Sequence, residues 1–468
     1  MRFEEYRSHD AVGLGALVAK GEVTAGELLE VAVARMAEVN PRLNAITRDL
    51  TDEARAQPAG QGPLAGVPYL LKDLGAAYGG VPMTAGSKLF SQTPSAADSA
   101  LTRLYKDAGL QIFGKTNTPE FGLWPVTESD LLGPARNPWD LSRTPGGSSG
   151  GASAAVAAGI VPAAHASDGG GSIRIPAACC GLFGMKPSRG RVSFSPAGEG
   201  WAGASIMHAV TRSVRDSAVL LDIGCAPQPG DPYFLSPPER PYAEEVARDP
   251  GRLRIAMFDG SLTVGGSVDP EVAAAVRDAG KLCESLGHTV EAATLPGDHA
   301  AMQAAARLVM AASVAANVDA ELERQGRPLA DGDIEAATLS IYWNGKQTGA
   351  AEYVRAVQAL HAYGRAAGGL FETYDVMLLA TLGRPAIPIG YLFEDRQELT
   401  KRLFSYMPNT QAFNNSGQPA MTVPLAWSAA GLPIGIQFAA RTGAEGLLFR
   451  LAGQLERARP WFDRVPAL

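Results

Sequence analysis

Residues 144–191 read TPGGSSGGASAAVAAGIVPAAHASDGGGSIRIPAACCGLFGMKPSRGR. Two glycine clusters, GGSSGG at 146–151 and GGG at 169–171, flank an Ala-rich segment, a composition unlike anything around it. Glycine at that density weakens helices and strands. Two physical reasons favour it: backbone packed directly on backbone, or backbone N–H groups presented to a ligand. In DGGGS, three residues without side chains precede Ser172, so their amides can turn toward one point as an anion-binding nest. That sets donors beside a hydroxyl, as acyl transfer requires. Alone, the stretch is equally a plain glycine-rich turn.

A serine hydroxyl is a weak nucleophile and needs a base nearby. GGSSG at 146–150 fits the G-x-S-x-G elbow, which would make Ser148 the nucleophile of an α/β-hydrolase with an acid and then a histidine downstream. Only His165, His208, His288, His299 and His361 follow; none lies in a site-like stretch, and Thr144-Pro145 is a poor strand end. Without a histidine, a neutral lysine can serve if burial depresses its pKa. Lys72 ends the strand-like GVPYLLKD, six mostly apolar residues that would carry its ammonium inward. The alternative is a lysine that snorkels out and pairs with Asp73. GLQIFGKT at 109–116 matches the Walker A letters, but its middle residues are apolar strand formers and Pro119 follows closely, so it reads as a strand.

Outward from these segments the pattern alternates. Thr24 and Glu27 form a capping box before an apolar run over residues 28–39 that Asn40-Pro41 should end. A strand over 66–71, a helix over 97–108 and the strand LQIFGK follow. Residues 226–242 carry six prolines and read as a surface loop; residues 300–370 are mostly helical. Strands VMLLA, PAMTVPLAW and GLPIGIQFAA and a helix over 443–457 close the chain. This is an α/β pattern in one domain with an elaborated helical region.

The 468 residues are 46% hydrophobic and 19% charged, with net charge −7. A large core is affordable, and an acidic balance with no basic block argues against nucleic acid. No signal-peptide pattern opens the chain, and the most apolar stretch, 152–166, is too short and small-residued to span a membrane. Cys179, Cys180, Cys225 and Cys283 form no CxxC pair and read as buried thiols in a cytoplasmic protein.

Together, GVPYLLKD, GKTNTPE, RNPWDLSRTPGGSSGG, GGSIRIP and NNSGQPA resemble the amidase signature family of serine hydrolases, over nearly the whole chain. The resemblance implies a single α/β/α domain over 1–468, with a twisted mixed sheet covered by helices on both faces, a core at about 66–210 and a helical excursion at about 300–370. It implies amide hydrolysis by Lys72, a bridging Ser148 held by a cis peptide, and the nucleophile Ser172, 24 residues on. The amides of Gly169, Gly170, Gly171 and Ser172 would hold the oxyanion; Asp168 and Arg174 would brace the loop, and Ser149 would support the network. Phe121, Gly122, Leu123 and Trp124 would line the acyl pocket, with Asn415 on the substrate side; Trp201 and Tyr342-Trp343 are further candidates. Ser167 stands where a threonine is usual, and Gly169 where a larger residue is common, which would loosen the loop or widen the pocket. No metal or cofactor, no nucleic acid and no membrane is expected, only a small-molecule amide and a monomer or homodimer. The alternative is the glutaminase-type subunit of a tRNA-dependent amidotransferase, from whose RQP-type sequence IRIPAACCG departs.

Overall fold

The computed structural model describes residues 1–57 and 60–468. Its centre is one eleven-stranded sheet. In chain order the strands are β1 (Ile46–Asp49), β2 (Pro68–Lys72), β3 (Gln111–Thr116), β4 (Ala163–Asp168), β5 (Phe183–Lys186), β6 (Ile206–Thr211), β7 (Arg254–Phe258), β8 (Thr289–Ala292), β9 (Val376–Ala380), β10 (Ala420–Trp427) and β11 (Pro433–Ala440). Their spatial order is β1-β3-β2-β4-β6-β5-β10-β11-β9-β7-β8. Pairing is mixed: β2 runs parallel to β3 and β4, the middle strands are antiparallel, and β7 runs parallel to β8 and β9. Helices flank the sheet, the α/β architecture the sequence pattern implies.

The helices that matter here are α1 (Ala25–Leu43), α2 (Ala100–Asp107), α3 (Gly150–Ala157), α4 (Arg174–Cys180), α5 (His299–Gln325), α6 (Ala336–Lys346), α7 (Ala350–Gly369) and α8 (Gln411–Ser416). The capping box at Thr24 and Glu27 is present, and Leu28, Leu29, Ala32, Met36, Val39 and Leu43 bury one face of α1. The stop expected at Asn40-Pro41 does not occur. Pro41 removes only one donor near the end of α1, Leu43 is buried two residues further, and Asn44 closes the helix in the left-handed region.

The Walker-like letters form β3, and Lys115 Nζ is buried against Asp73 Oδ1 (3.1 Å) and Pro82 O (3.1 Å). Asp73 therefore pairs with Lys115, not with Lys72. Residues 226–241 form no helix or strand and run over the surface. Cys179, Cys180 and Cys283 are buried thiols and Cys225 is half-buried. Helix α5 has 27 residues and holds an 18-residue stretch with a mean hydropathy of 1.2, long and apolar enough to cross a membrane by length and composition, and half of that stretch is buried inside the protein. The sequence reading, drawn to 152–166, missed it because those apolar residues are spread along two faces. They pack into two separate apolar clusters, one with α7 and one with α6.

Because β2 and β4 are parallel neighbours, Lys72 and Asp168 end their strands at the same edge of the sheet. The crevice beyond strand carboxyl ends is where open α/β sheets place ligands.

Candidate active site

Lys72 is fully buried. Its Nζ lies 2.6 Å from Ser148 Oγ and 2.9 Å from Ser167 Oγ. Burial lowers its pKa from 10.5 to about 7, against the opposing pull of the Asp168 carboxylate. A large fraction of the amine is therefore uncharged near neutrality, and its nitrogen lies within hydrogen-bond distance of two hydroxyls. Ser148 sits at the start of GGSSGG, and the Gly147–Ser148 peptide bond is cis.

The first glycine cluster serves backbone-on-backbone packing. A Cβ on Gly147 would lie 2.4 Å from Val126 N, and one on Gly151 would lie 2.4 Å from Asn117 N and 2.5 Å from Ala45 O. So α3 seats directly on the chain leaving β3, which brings Ser148 under Lys72. Ser149 joins the two glycine clusters. Its Oγ donates to Ser167 O (3.2 Å) and accepts from Ser167 N–H (3.3 Å), while its own N–H donates to Ser172 O (3.3 Å).

The second cluster is built around a buried ion pair. Arg174 Nε and Nη2 donate to Asp168 Oδ2 and Oδ1 at 2.9 and 3.0 Å, and Asn414 Nδ2 donates to Asp168 Oδ1 at 2.8 Å. The remaining guanidinium donors reach Thr410 O, Gln437 Oε1 and Asn414 Oδ1, so the buried cation is well satisfied. Burial alone would raise the Asp168 pKa, but the charge and hydrogen bonds of Arg174, with Lys186 and Asn414, hold it down at about 2. Asp168 in turn accepts from Gly171 N–H at 2.7 Å and Ile173 N–H at 3.1 Å.

That last contact corrects one expectation. The Gly171 amide is committed to Asp168, because its N–H must satisfy the carboxylate that shapes the loop. Among the described residues, the N–H groups of Gly169, Gly170 and Ser172 donate to no protein acceptor. From Thr144 through Ser188 every residue is buried except these same three. The three residues of the block that are not buried are thus the three whose amides have no protein acceptor, and Ser172 is the one serine among them. No hydrogen bond joins the Ser172 and Ser148 hydroxyls directly; catalytic hydrogen bonds commonly tighten only when substrate binds.

Of the expected pocket residues, Gly122 comes nearest the chemistry: a Cβ there would meet Ser148 Oγ at 3.0 Å. Phe121 stacks edge-on to Phe90, and Trp124 edge-on to Phe393. Phe121 and Leu123 pack on a cluster from α5 and α6. Asn415 is buried, its amide 2.9 Å from Met302 Sδ. Tyr342 and Trp343 line a separate cavity of about 1100 Å³ that includes none of Lys72, Ser148 and Ser172. Gly169 does not widen the pocket, because the Trp201 indole occupies the space.

Two participants escaped the sequence reading. Ser167 touches the lysine; the sequence marked it only as a serine where the family usually has a threonine, with no role attached. His165 Nδ1 accepts the Lys72 backbone N–H (3.3 Å), and burial pushes its pKa down to about 3. It is a neutral prop for β2 and touches no serine hydroxyl. Among the described residues no group of three His, Cys, Asp or Glu is arranged to hold a metal ion.

A family model described as Amidase matches residues 27–449. The chain belongs to the amidase signature family. Across 98% of this amidase and 96% of the relative, it is 37% identical to a 6-aminohexanoate-cyclic-dimer hydrolase of Paenarthrobacter ureafaciens. An acylamidase of Rhodococcus erythropolis is 35% identical over 98% and 97% of the two chains. A solved 6-aminohexanoate cyclic dimer hydrolase, complexed with substrate, superimposes with a TM-score of 0.93 over 98% of each chain at 36% identity. The protein is an amidase, a hydrolase of C–N bonds other than peptide bonds.

Proposed function

We propose that this amidase works through a Ser-Ser-Lys relay with an acyl-enzyme on Ser172. The observation that carries the reading is the pairing of a buried, largely neutral amine with Ser148 Oγ, beside a block in which Ser172 is the one serine that is not buried. Lys72 takes the Ser148 proton as Ser148 takes that of Ser172, and Ser172 Oγ bonds to the amide carbon. The free N–H groups of Gly169, Gly170 and Ser172 are the available donors for the oxyanion. The proton returns through Ser148 to the nitrogen as the C–N bond breaks, since an unprotonated amine leaves poorly. Water then attacks the acyl-enzyme by the reverse relay, releasing the carboxylic acid and restoring Ser172.

The substrate class is an aryl amide or an oligoamide, with carbamates and esters within reach of the same chemistry. The names of the two relatives and the aromatic and thioether groups around the loop support this. The enzyme would act on a small molecule in the cytoplasm, as a monomer or homodimer. A hydrolysis screen across anilides, cyclic and linear oligoamides, aliphatic amides, carbamates, esters and glutamine tests it. Turnover of anilides or oligoamides well above the rest is expected; hydrolysis of glutamine alone would replace it with the glutaminase reading.

A further inference from the structure

The turn after the active-site block holds an unusual contact. Trp201, Ala202 and Gly203 are consecutive residues in the left-handed region, with φ of 56°, 53° and 75°. Two non-glycine residues there are unfavourable and persist only where the surroundings enforce them. The enforcement is visible. Arg189 Nε donates to Gly203 O (2.8 Å), and Nη2 donates to Asn414 O (3.2 Å) and Asn415 O (2.9 Å). The turn is thereby tied to α8, the helix whose Asn414 also braces Asp168.

This turn delivers the Trp201 indole onto Gly169. A Cβ on Gly169 would lie 2.7 Å from Trp201 Cζ3 and 2.8 Å from Cε3, closer than real contacts allow. Gly169 is not in the left-handed region, so space and not backbone conformation demands a glycine there. The indole remains partly exposed, as do Gly169, Gly170 and Ser172. On the far side of the loop, Thr410 Oγ1 donates to Gly170 O (2.6 Å), and a Cβ on Gly170 would face Met407 Cε at 3.8 Å. The loop carrying the free amides thus has an aromatic wall on one side and a thioether on the other.

We infer that Trp201 is a specificity-determining residue: its indole limits the size of the substrate group lying beside the oxyanion loop, and Gly169 is the residue that admits it. This rests on the reading of Ser172 as the nucleophile. Trp201→Ala opens space next to the scissile carbonyl without touching Lys72, Ser148 or Ser172. Gly169→Ala, alone, drives the indole and the loop apart; with Trp201→Ala the added methyl keeps only the contact with Ser205 Oγ at 3.0 Å, a hydroxyl that can rotate away.

The test is a double-mutant cycle read as kcat/KM on two series, acyl p-nitroanilides of increasing acyl size and acetamides of increasing amine size. Labelling of Ser172 by a fluorophosphonate is measured on every variant. In one series, Trp201→Ala should raise the ratio of bulky to small substrate about tenfold, the scale of a group or two in an apolar pocket. Trp201→Phe should shift it the same way by less. Gly169→Ala should lose tenfold or more on all substrates and recover most of it in the double variant. Equal loss on every substrate of both series with Trp201→Ala, or no recovery in the double variant, would overturn the inference while leaving Ser172 labelled. A wild-type protein unlabelled at Ser172 would instead remove the reading beneath it.

Discussion

The proposed chemistry depends on the state of one side chain. An exposed lysine at pH 7 is an ammonium with no lone pair; Lys72 is brought to about pH 7 by loss of water, only partly offset by Asp168. The sign follows directly. The competent form is the neutral amine, so kcat/KM should climb from the acid side with an inflection near pH 7 and level above it. Lys72→Ala should lose at least a hundredfold and the inflection with it, as expected for a general base. Lys186 is a second buried amine, also lowered to about 7 by burial and by Arg174, with its Nζ on Pro187 O. Lys186→Met should keep the inflection; its disappearance there would move the titration to the wrong lysine. The apolar strand running into Lys72 offered a buried lysine only beside the snorkelling alternative, and the family resemblance decided between the two. The part played by Ser167 was not legible, because its contact arises from β4 lying beside β2, and single-sequence patterns carry no register. The commitment of the Gly171 amide was equally hidden, since it depends on where Asp168 turns its carboxylate.

At the scale of elements, the two glycine clusters turn out to divide the two reasons for glycine between them. GGSSGG is there for close packing: α3 cannot approach β3 if residue 151 carries a side chain. Gly151→Ala should destabilise by about 1–3 kcal/mol in urea unfolding, as overpacked sites do. The control is Gly198→Ala, where an added Cβ meets nothing within 4 Å and the change should be within about 0.5 kcal/mol. Equal effects would mean that the close approach of α3 does not hold the site. GGG at 169–171 leaves the amides of Gly169 and Gly170 without a protein acceptor and makes space for the indole. Element types were readable from periodicity and caps, as for α1, whose capping box is present where Thr24 and Glu27 predict it. The end of α1 was misread because burial of Leu43 outweighs one hydrogen bond lost at Pro41. The placement of Trp201 on Gly169 lay beyond any local pattern, since 32 residues separate them.

Across the whole molecule, one eleven-stranded sheet collects strands from both halves of the chain, and, among the described residues, one of three apolar clusters runs from Tyr6 to Trp461. The alternation of helices and strands made the α/β class legible, whereas the strand order was not, because neighbours such as β5 and β10 are far apart in sequence. The global fold matters to the site in one specific way. It buries Ser148 and Ser149 and leaves Ser172 partly exposed. Reactivity should therefore belong to the folded chain and to that residue. The decisive measurement is mass spectrometry of tryptic peptides after reaction with a fluorophosphonate, on native and urea-unfolded protein. The account predicts one adduct per native chain, on the peptide containing Ser172, absent after unfolding and absent in Ser172→Ala. An adduct on the Ser148 peptide, or labelling that survives in Ser172→Ala, would contradict it.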